Sequence, residues 1–149
     1  MIIIPSGKPK IWDRHQGIGP VPAKEAYTGT FHRLCRVYAE KFDGEYLILS
    51  PKYGFLAPDS IVPGTYDVRF TARGVTANTV SIEELTEQWQ ALNIKQEPIV
   101  MLGGTKFRPL LEDVSDRRNQ FIFPLHGTRG IGEMQKRLRT AIDTGEPLG

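Results

Sequence analysis

The chain has 149 residues, 40% hydrophobic and 24% charged, enough for one core and short for two, so a single domain over residues 1–144 with a flexible tail at 145–149 is expected. The formal net charge of +2 is too small to demand a nucleic-acid partner, so the placement of charges matters more than their sum. One cysteine, Cys35, cannot close an internal disulfide, and the apolar start is cut short by Pro5, which is not the pattern of a signal peptide or membrane span; no membrane partner and a cytoplasmic location are expected.

Ile2, Ile3 and Ile4 form a continuous β-branched run, the pattern of a strand covered on both faces, and predict a central first strand. Pro5, Gly7 and Pro9 stop it and put Ser6, Lys8 and Lys10 on a loop. Pro22, at a first-turn position, opens a short helical turn over residues 23–27. Phe31, Leu34, Val37 and Tyr38 then give an apolar face to a longer helix over 30–41, with Thr30 as its N-cap. Cys35 lies within that pattern and reads as a buried structural thiol. Asp43-Gly44 ends the helix and leads into a second strand over 46–49.

That strand stops at Ser50-Pro51 and delivers Lys52, Tyr53 and Gly54 (a cation, a phenol and a hinge) onto a loop. Residues 57–78 are the least regular part of the chain and carry Tyr66 and Asp67; long segments of this kind are commonly functional. Residues 68–72 read as a short edge strand or as extended chain. Ser81 and Glu84 match a capping box ahead of Leu85, Trp89 and Leu92 on one helical face. A third strand over 99–102 runs into Gly103-Gly104-Thr105, and a helix follows with Phe107, Leu110, Leu111 and Val114 inward. A fourth strand over 121–123 ends at Pro124-Leu125-His126-Gly127, and an amphipathic helix from 130 or 131 to 142 closes the chain. This alternation predicts an α/β fold: a Rossmann-like, three-layer α/β/α arrangement around a mainly parallel four-stranded sheet.

In such a sheet the strand-end loops share one rim, where ligands bind. The rim would carry Ser6, Lys8 and Lys10; Ser50, Lys52 and Tyr53; Gly103, Gly104, Thr105 and Lys106; and His126, Gly127 and Arg129. Cations outnumber carboxylates there, so an anionic ligand follows, most simply a phosphate. Gly103-Gly104-Thr105 leads from a strand to a helix start, where free N–H groups favour an anion, although the phosphate-loop spacing is lacking and a plain tight turn is the alternative. Lys52 is an anion clamp or catalytic amine, or else a solvated lysine. His126 is a general base or leaving-group donor, or else structural. Tyr66 and Asp67 would close over a ligand, one stacking and the other activating water, or else form a surface turn. Three histidines and one cysteine show no metal-ligand spacing, and the glycines lack the dinucleotide fingerprint, so neither a metal nor a cofactor is expected.

Ser6 with Lys8, PAKEAYTGTF (residues 22–31), LILSPKYGFLAP (47–58), the Tyr66-Asp67 pair and PLHGTRGIGEMQKRL (124–138) together resemble an uncharacterised bacterial and phage family, domain of unknown function 6884. More distantly they are similar to the YaaA peroxide-stress family, whose members are associated with DNA. The resemblance marks Ser6, Lys8, Pro22, Ala23, Tyr27, Phe31, Ser50, Lys52, Tyr53, Gly54, Tyr66, Asp67, Gly127, Gly130 and Gly132. The chain departs from the family pattern at Ala26 for leucine, Gly29 for serine and Pro51 for alanine.

The expected function is binding of a nucleotide or nucleobase, with action on an N-glycosidic bond of a nucleotide or of a base in nucleic acid. Asp67, Lys52 and His126 are the candidate catalytic groups. Ser6, Lys8, Tyr27, Ser50, Tyr53, Gly54, Tyr66, Gly103, Gly104, Thr105, Gly127 and Arg129 are the candidate ligand contacts. The alternative is a non-catalytic module that binds DNA, RNA or a nucleotide signal in a stress or phage-defence system; a third reading is a domain that works only through a protein partner.

Overall fold

A computed structural model describes residues 1–149. In chain order it contains β1 (Ile2–Pro5), a 3-10 turn at Ile11–Asp13, β2 (Val21–Pro22), α1 (Ala23–Ala26), α2 (Thr30–Phe42), β3 (Tyr46–Ser50), β4 (Gly54–Leu56) and β5 (Ile61–Val62). Then follow α3 (Ile82–Leu92), β6 (Ile99–Met101), a 3-10 turn at Thr105–Phe107, α4 (Arg108–Val114), β7 (Phe121–Ile122) and α5 (Ile131–Thr144). Five strands form one mixed sheet in the order β4-β3-β1-β6-β7, and β2 pairs with β5 in a separate two-stranded antiparallel ribbon. β1 pairs in parallel with both β3 and β6, and β6 in parallel with β7, so the isoleucine run is the central strand.

The pleat sorts the strand residues into two apolar clusters. Ile2, Ile4, Tyr46 and Ile48 point to one face, where Cys35, Tyr38 and Ala39 of α2 and Leu138 and Ala141 of α5 cover them. Ile3, Leu47, Leu49, Ile99 and Met101 point to the other, beneath Leu85 and Trp89 of α3 and Leu110, Leu111 and Val114 of α4. Alternate residues of one strand thus serve opposite clusters, which is why the strands read as unbroken apolar runs. Cys35 is a buried free thiol, and burial holds its pKa well above the ordinary value.

The sheet has five strands where the sequence pattern suggests four. The extra strand is β4, which returns antiparallel on β3 with Leu49 opposite Phe55 and Ser50 opposite Gly54. Only residues 51–53 join the two. Gly54, at φ +81°, supplies the left-handed residue that a three-residue hairpin loop needs. Ser50 Oγ accepts the Lys52 and Tyr53 N–H groups at 3.2 and 3.1 Å. The edge is closed by Gln88 of α3, whose side chain accepts from Phe55 N at 2.9 Å and donates to Tyr53 O at 3.0 Å.

Other local expectations shift by a residue or two. Ser81 caps α3, its Oγ accepting the Glu84 N–H at 3.1 Å. Thr30 is not a cap: Gly29 holds that position and Thr30 is the first helical residue. Residues 68–72 form no strand, and Thr71 makes only an isolated bridge with Gly74. The segment 57–78 is tied at its start by β5, which lies against β2. The C-terminal residues return to the body, where Leu148 packs against the α2 face and its N–H donates to Tyr38 Oη at 2.9 Å.

Candidate functional site

The chain leaves β1 towards β3 on one side and later adds β6 on the other, so β1 and β6 are neighbours whose following helices, α2 and α4, lie on opposite faces. Loops diverging in this way open a crevice at the carboxyl ends of the strands. A cavity of about 1000 Å³ occupies that position. The β1 exit contributes Ser6, Gly7, Lys8 and Lys10, and the β3 end Leu49 and Pro51. Gly103, Gly104 and Lys106 come from the β6 exit, Asp67, Arg69 and Phe70 from the irregular segment, and Thr30, Phe31 and His32 from the start of α2. Its cations are Lys8, Lys10, Arg69 and Lys106, and its one carboxylate is Asp67.

Lys10 is the least ordinary of these. Its side chain is 3% exposed, with Nζ donating to Lys8 O at 2.9 Å and lying 3.4 Å from Gly7 O. The ammonium stands 4.4 Å from the Tyr66 ring centre, and none of the four ion pairs in the protein includes it. Desolvation lowers its pKa, against the opposing pull of Asp13 and Asp67. A buried cation without a paired carboxylate is costly, and an incoming anion offsets that cost.

Beneath this lysine lies a hydroxyl network. Tyr66 Oη meets Tyr27 Oη at 2.5 Å and Ser50 Oγ at 2.8 Å. Burial, and then the neighbouring phenol of Tyr66, pushes the Tyr27 pKa far up, and burial also raises that of Tyr66. Tyr53 meets the Tyr66 ring edge-on at a centroid distance of 5.5 Å. The rings are thus packed on one another and under Lys10, not free to sandwich a base. This network ties the segment carrying Asp67 to the end of β3 and to the residue just after α1.

His32 projects from the first turn of α2 beside the end of β1. Its Nδ1 lies 2.8 Å from Pro5 O, and burial lowers its pKa to about 4. The ring is therefore neutral at pH 7, and because a carbonyl only accepts, Nδ1 carries the hydrogen. Nε2 is left as a bare acceptor, buried and without a partner.

Of the residues singled out from sequence, Ser6, Lys8, Asp67, Gly103 and Gly104 line the cavity. Tyr27, Ser50, Tyr53 and Tyr66 form or flank the network below it. Gly54 serves the hairpin. Lys52 is exposed at the tip of the β3–β4 turn and does not line the cavity, because the chain reverses there instead of running on across the rim. Thr105 lies in the 3-10 turn, outside the lining. His126, Gly127 and Arg129 also stand outside it: His126 Nδ1 bonds Phe123 O at 2.7 Å, and Arg129 N–H donates to Glu133 at 3.1 Å. β7 is an edge strand two positions from β1, so its exit loop is displaced from the crevice.

Gly103 is required for packing. A Cβ there would lie 2.6 Å from Phe107 ring carbons and 2.7 Å from Met101 Cε. Gly103-Gly104 leads into a 3-10 turn, and α4 beyond it has seven residues and starts at Arg108. The N–H array expected there is poor; the longer α2 presents its start instead. Sequence reading placed Lys10 and Lys106 on the rim without a role and missed Thr30, His32 and Arg69. A histidine next to an apolar helical position carries no signal of its own.

The family of unknown function DUF6884 matches residues 14–140 of this chain. The uncharacterized protein YfjM of Bacillus subtilis (strain 168) is 41% identical over 144 residues, 96% of this chain and 95% of that protein. The chain belongs to this family.

Proposed function

We propose that this member of the DUF6884 family binds a nucleotide in the crevice between β1 and β6 and acts on its N-glycosidic bond. The observation that carries the reading is the cavity's charge: Lys8, Lys10, Arg69 and Lys106 against Asp67 alone, with Lys10 buried and unpaired. About 1000 Å³ is at the upper end of small-molecule sites and leaves room for a base and sugar beside the phosphate. Phe31, Phe70 and Phe107 supply apolar walls on which a base can rest. Asp67, the one carboxylate, is suited to accept a proton from a water whose oxygen bonds to the anomeric carbon, while the base leaves with the C–N electron pair and is protonated. Lys52 and His126 have no part in this scheme. We read the helix-covered sheet as a Rossmann-like three-layer body, and the cytoplasm as its place of action.

The test is calorimetric titration with nucleosides, mononucleotides and short oligonucleotides, followed by chromatography for released base. Mononucleotides should bind and nucleosides should not, Lys10→Met should weaken binding at least about tenfold, and Asp67→Asn should stop base release while binding persists. Nucleotide binding indifferent to Lys10→Met would end the reading. Binding without base release points to the second reading, a nucleotide-signal module. That reading is favoured by one observation: no hydrogen bond in the structure orients the Asp67 carboxylate.

A further inference from the structure

The hydrogens of the hydroxyl network run in one direction. Ser50 Oγ has two lone pairs, and the Lys52 and Tyr53 N–H groups take both. Its own hydrogen therefore goes to Tyr66 Oη, 2.8 Å away. Tyr27, 3% exposed, has Tyr66 Oη at 2.5 Å and Ser50 as the other hydroxyl beside it. Ser50 has no lone pair left to offer, so the Tyr27 hydrogen also goes to Tyr66. With both neighbours donating to it, Tyr66 must donate elsewhere, and the third hydroxyl beside it is that of Ser6.

Ser6 is 4% exposed and lines the cavity. Among the fully enclosed side-chain nitrogens and oxygens, only His32 Nε2 and Arg36 Nε lack a close hydrogen bond. Ser6 Oγ makes no close bond either and is not one of those two, so it keeps an opening, and the space it borders is the cavity. With Tyr66 on the protein side of this oxygen, the Ser6 hydrogen turns outward. Lys10 Nζ stands over the ring of the same Tyr66 and is turned to Gly7 O and Lys8 O, which occupies the two carbonyls that follow Ser6. This end of the cavity thus offers donors, a hydroxyl and two ammonium groups. We propose that Ser6 Oγ donates a hydrogen bond to an ionised phosphate group, an ester or diester whose free oxygens only accept, beside Lys8 and Lys10, and that Tyr66 sets the direction of that hydroxyl. This rests on the cavity being a site for a phosphate-bearing ligand, and it makes Ser6 the directional contact among charges that attract from any angle.

The experiment is calorimetric titration of the whole chain with 5′-mononucleotides, inorganic phosphate and sulfate. Ser6→Ala should weaken the binding of each about tenfold, the usual cost of one hydrogen bond to a charged group, and Ser6→Thr, which keeps the hydroxyl, should stay within about threefold of wild type. If Ser6→Thr fails to fold, Ser6→Cys, of like size and a weak donor, should fall between wild type and Ser6→Ala. Tyr66→Phe should weaken binding about threefold or more in the wild type and no further in the Ser6→Ala background, because it acts through the Ser6 hydroxyl. A loosened Asp67 segment would cost the same factor in both. Ser6→Ala within about twofold of wild type overturns the contact, and an equal Tyr66→Phe factor in both backgrounds overturns the positioning role. Phosphate and sulfate that depend on Ser6 while mononucleotides bind no tighter than phosphate remove the nucleotide reading alone. Mononucleotides that bind wild type and Ser6→Ala alike remove the Ser6 contact alone. Failure of all three probes to bind removes both.

Discussion

Tyr66→Phe removes one oxygen from the hydroxyl network and leaves the ring in place. Two hydrogen bonds disappear, to Tyr27 Oη at 2.5 Å and to Ser50 Oγ at 2.8 Å. Their fates differ. Ser50 keeps two N–H donors, from Lys52 and Tyr53, so its loss is about 0.5–1 kcal/mol. Tyr27 is 3% exposed and its hydroxyl bonds that of Tyr66, so removing the Tyr66 oxygen strands it at about 1–3 kcal/mol. The sum is about 1.5–4 kcal/mol, or a fall in Tm of roughly 3–16 °C for a chain of this size. Urea denaturation followed by circular dichroism measures it. The double variant Tyr27→Phe, Tyr66→Phe removes the stranded group as well, so it should recover about 1–2 kcal/mol relative to the sum of the two single variants. Tyr66→Phe within about 0.5 kcal/mol of wild type, or strictly additive variants, would refute the view that this network pins the Asp67 segment.

Acid stability should carry the signature of His32. Its pKa is about 4 folded against an ordinary value of 6.5, so its contribution is fully present above 6.5 and is lost as pH falls towards 4. That gap is worth about 3 kcal/mol, and urea midpoints of wild type and His32→Asn should therefore converge on acidification; parallel pH profiles would show that the histidine is not buried neutral. Gly103→Ala should cost about 1–3 kcal/mol by forcing Phe107 and Met101 aside. Should it keep full stability and lose phosphate binding instead, the glycine turn would be the anion site after all.

Much of the architecture was legible because it depends on short-range pattern. Ile2 to Ile4 and the run from Tyr46 read as doubly covered strands since each alternate side chain meets its own cluster. Ser81 and Glu84 marked the start of α3 because a capping bond closes within three residues. β4 escaped notice because a three-residue strand is shorter than any periodicity, and Pro51 to Gly54 looks the same whether the chain wanders or reverses. Val21 and Val62 pair across some forty residues, a separation that no local pattern encodes.

The site divides along the same line. Parallel strands with helical crossovers put their carboxyl ends on one rim, so local order alone brought Ser6, Lys8 and Gly103 into consideration and made the rim cationic, while Asp67 stood out as part of the long irregular segment. Which rim residues share one cavity depends on strand order, and that is set by how the helices pack. β7 at the edge carries His126 away, the β3–β4 reversal turns Lys52 outward, and β1 beside β6 gathers Lys10, Arg69 and the open start of α2. The sequence determined the elements and the kinds of charge at their ends, because those follow from residues a few positions apart. Only the tertiary structure decided that Lys10 is buried without a counter-ion and that His32 faces inward with one nitrogen unclaimed, because burial is a property of what packs around a side chain and not of its neighbours in the chain.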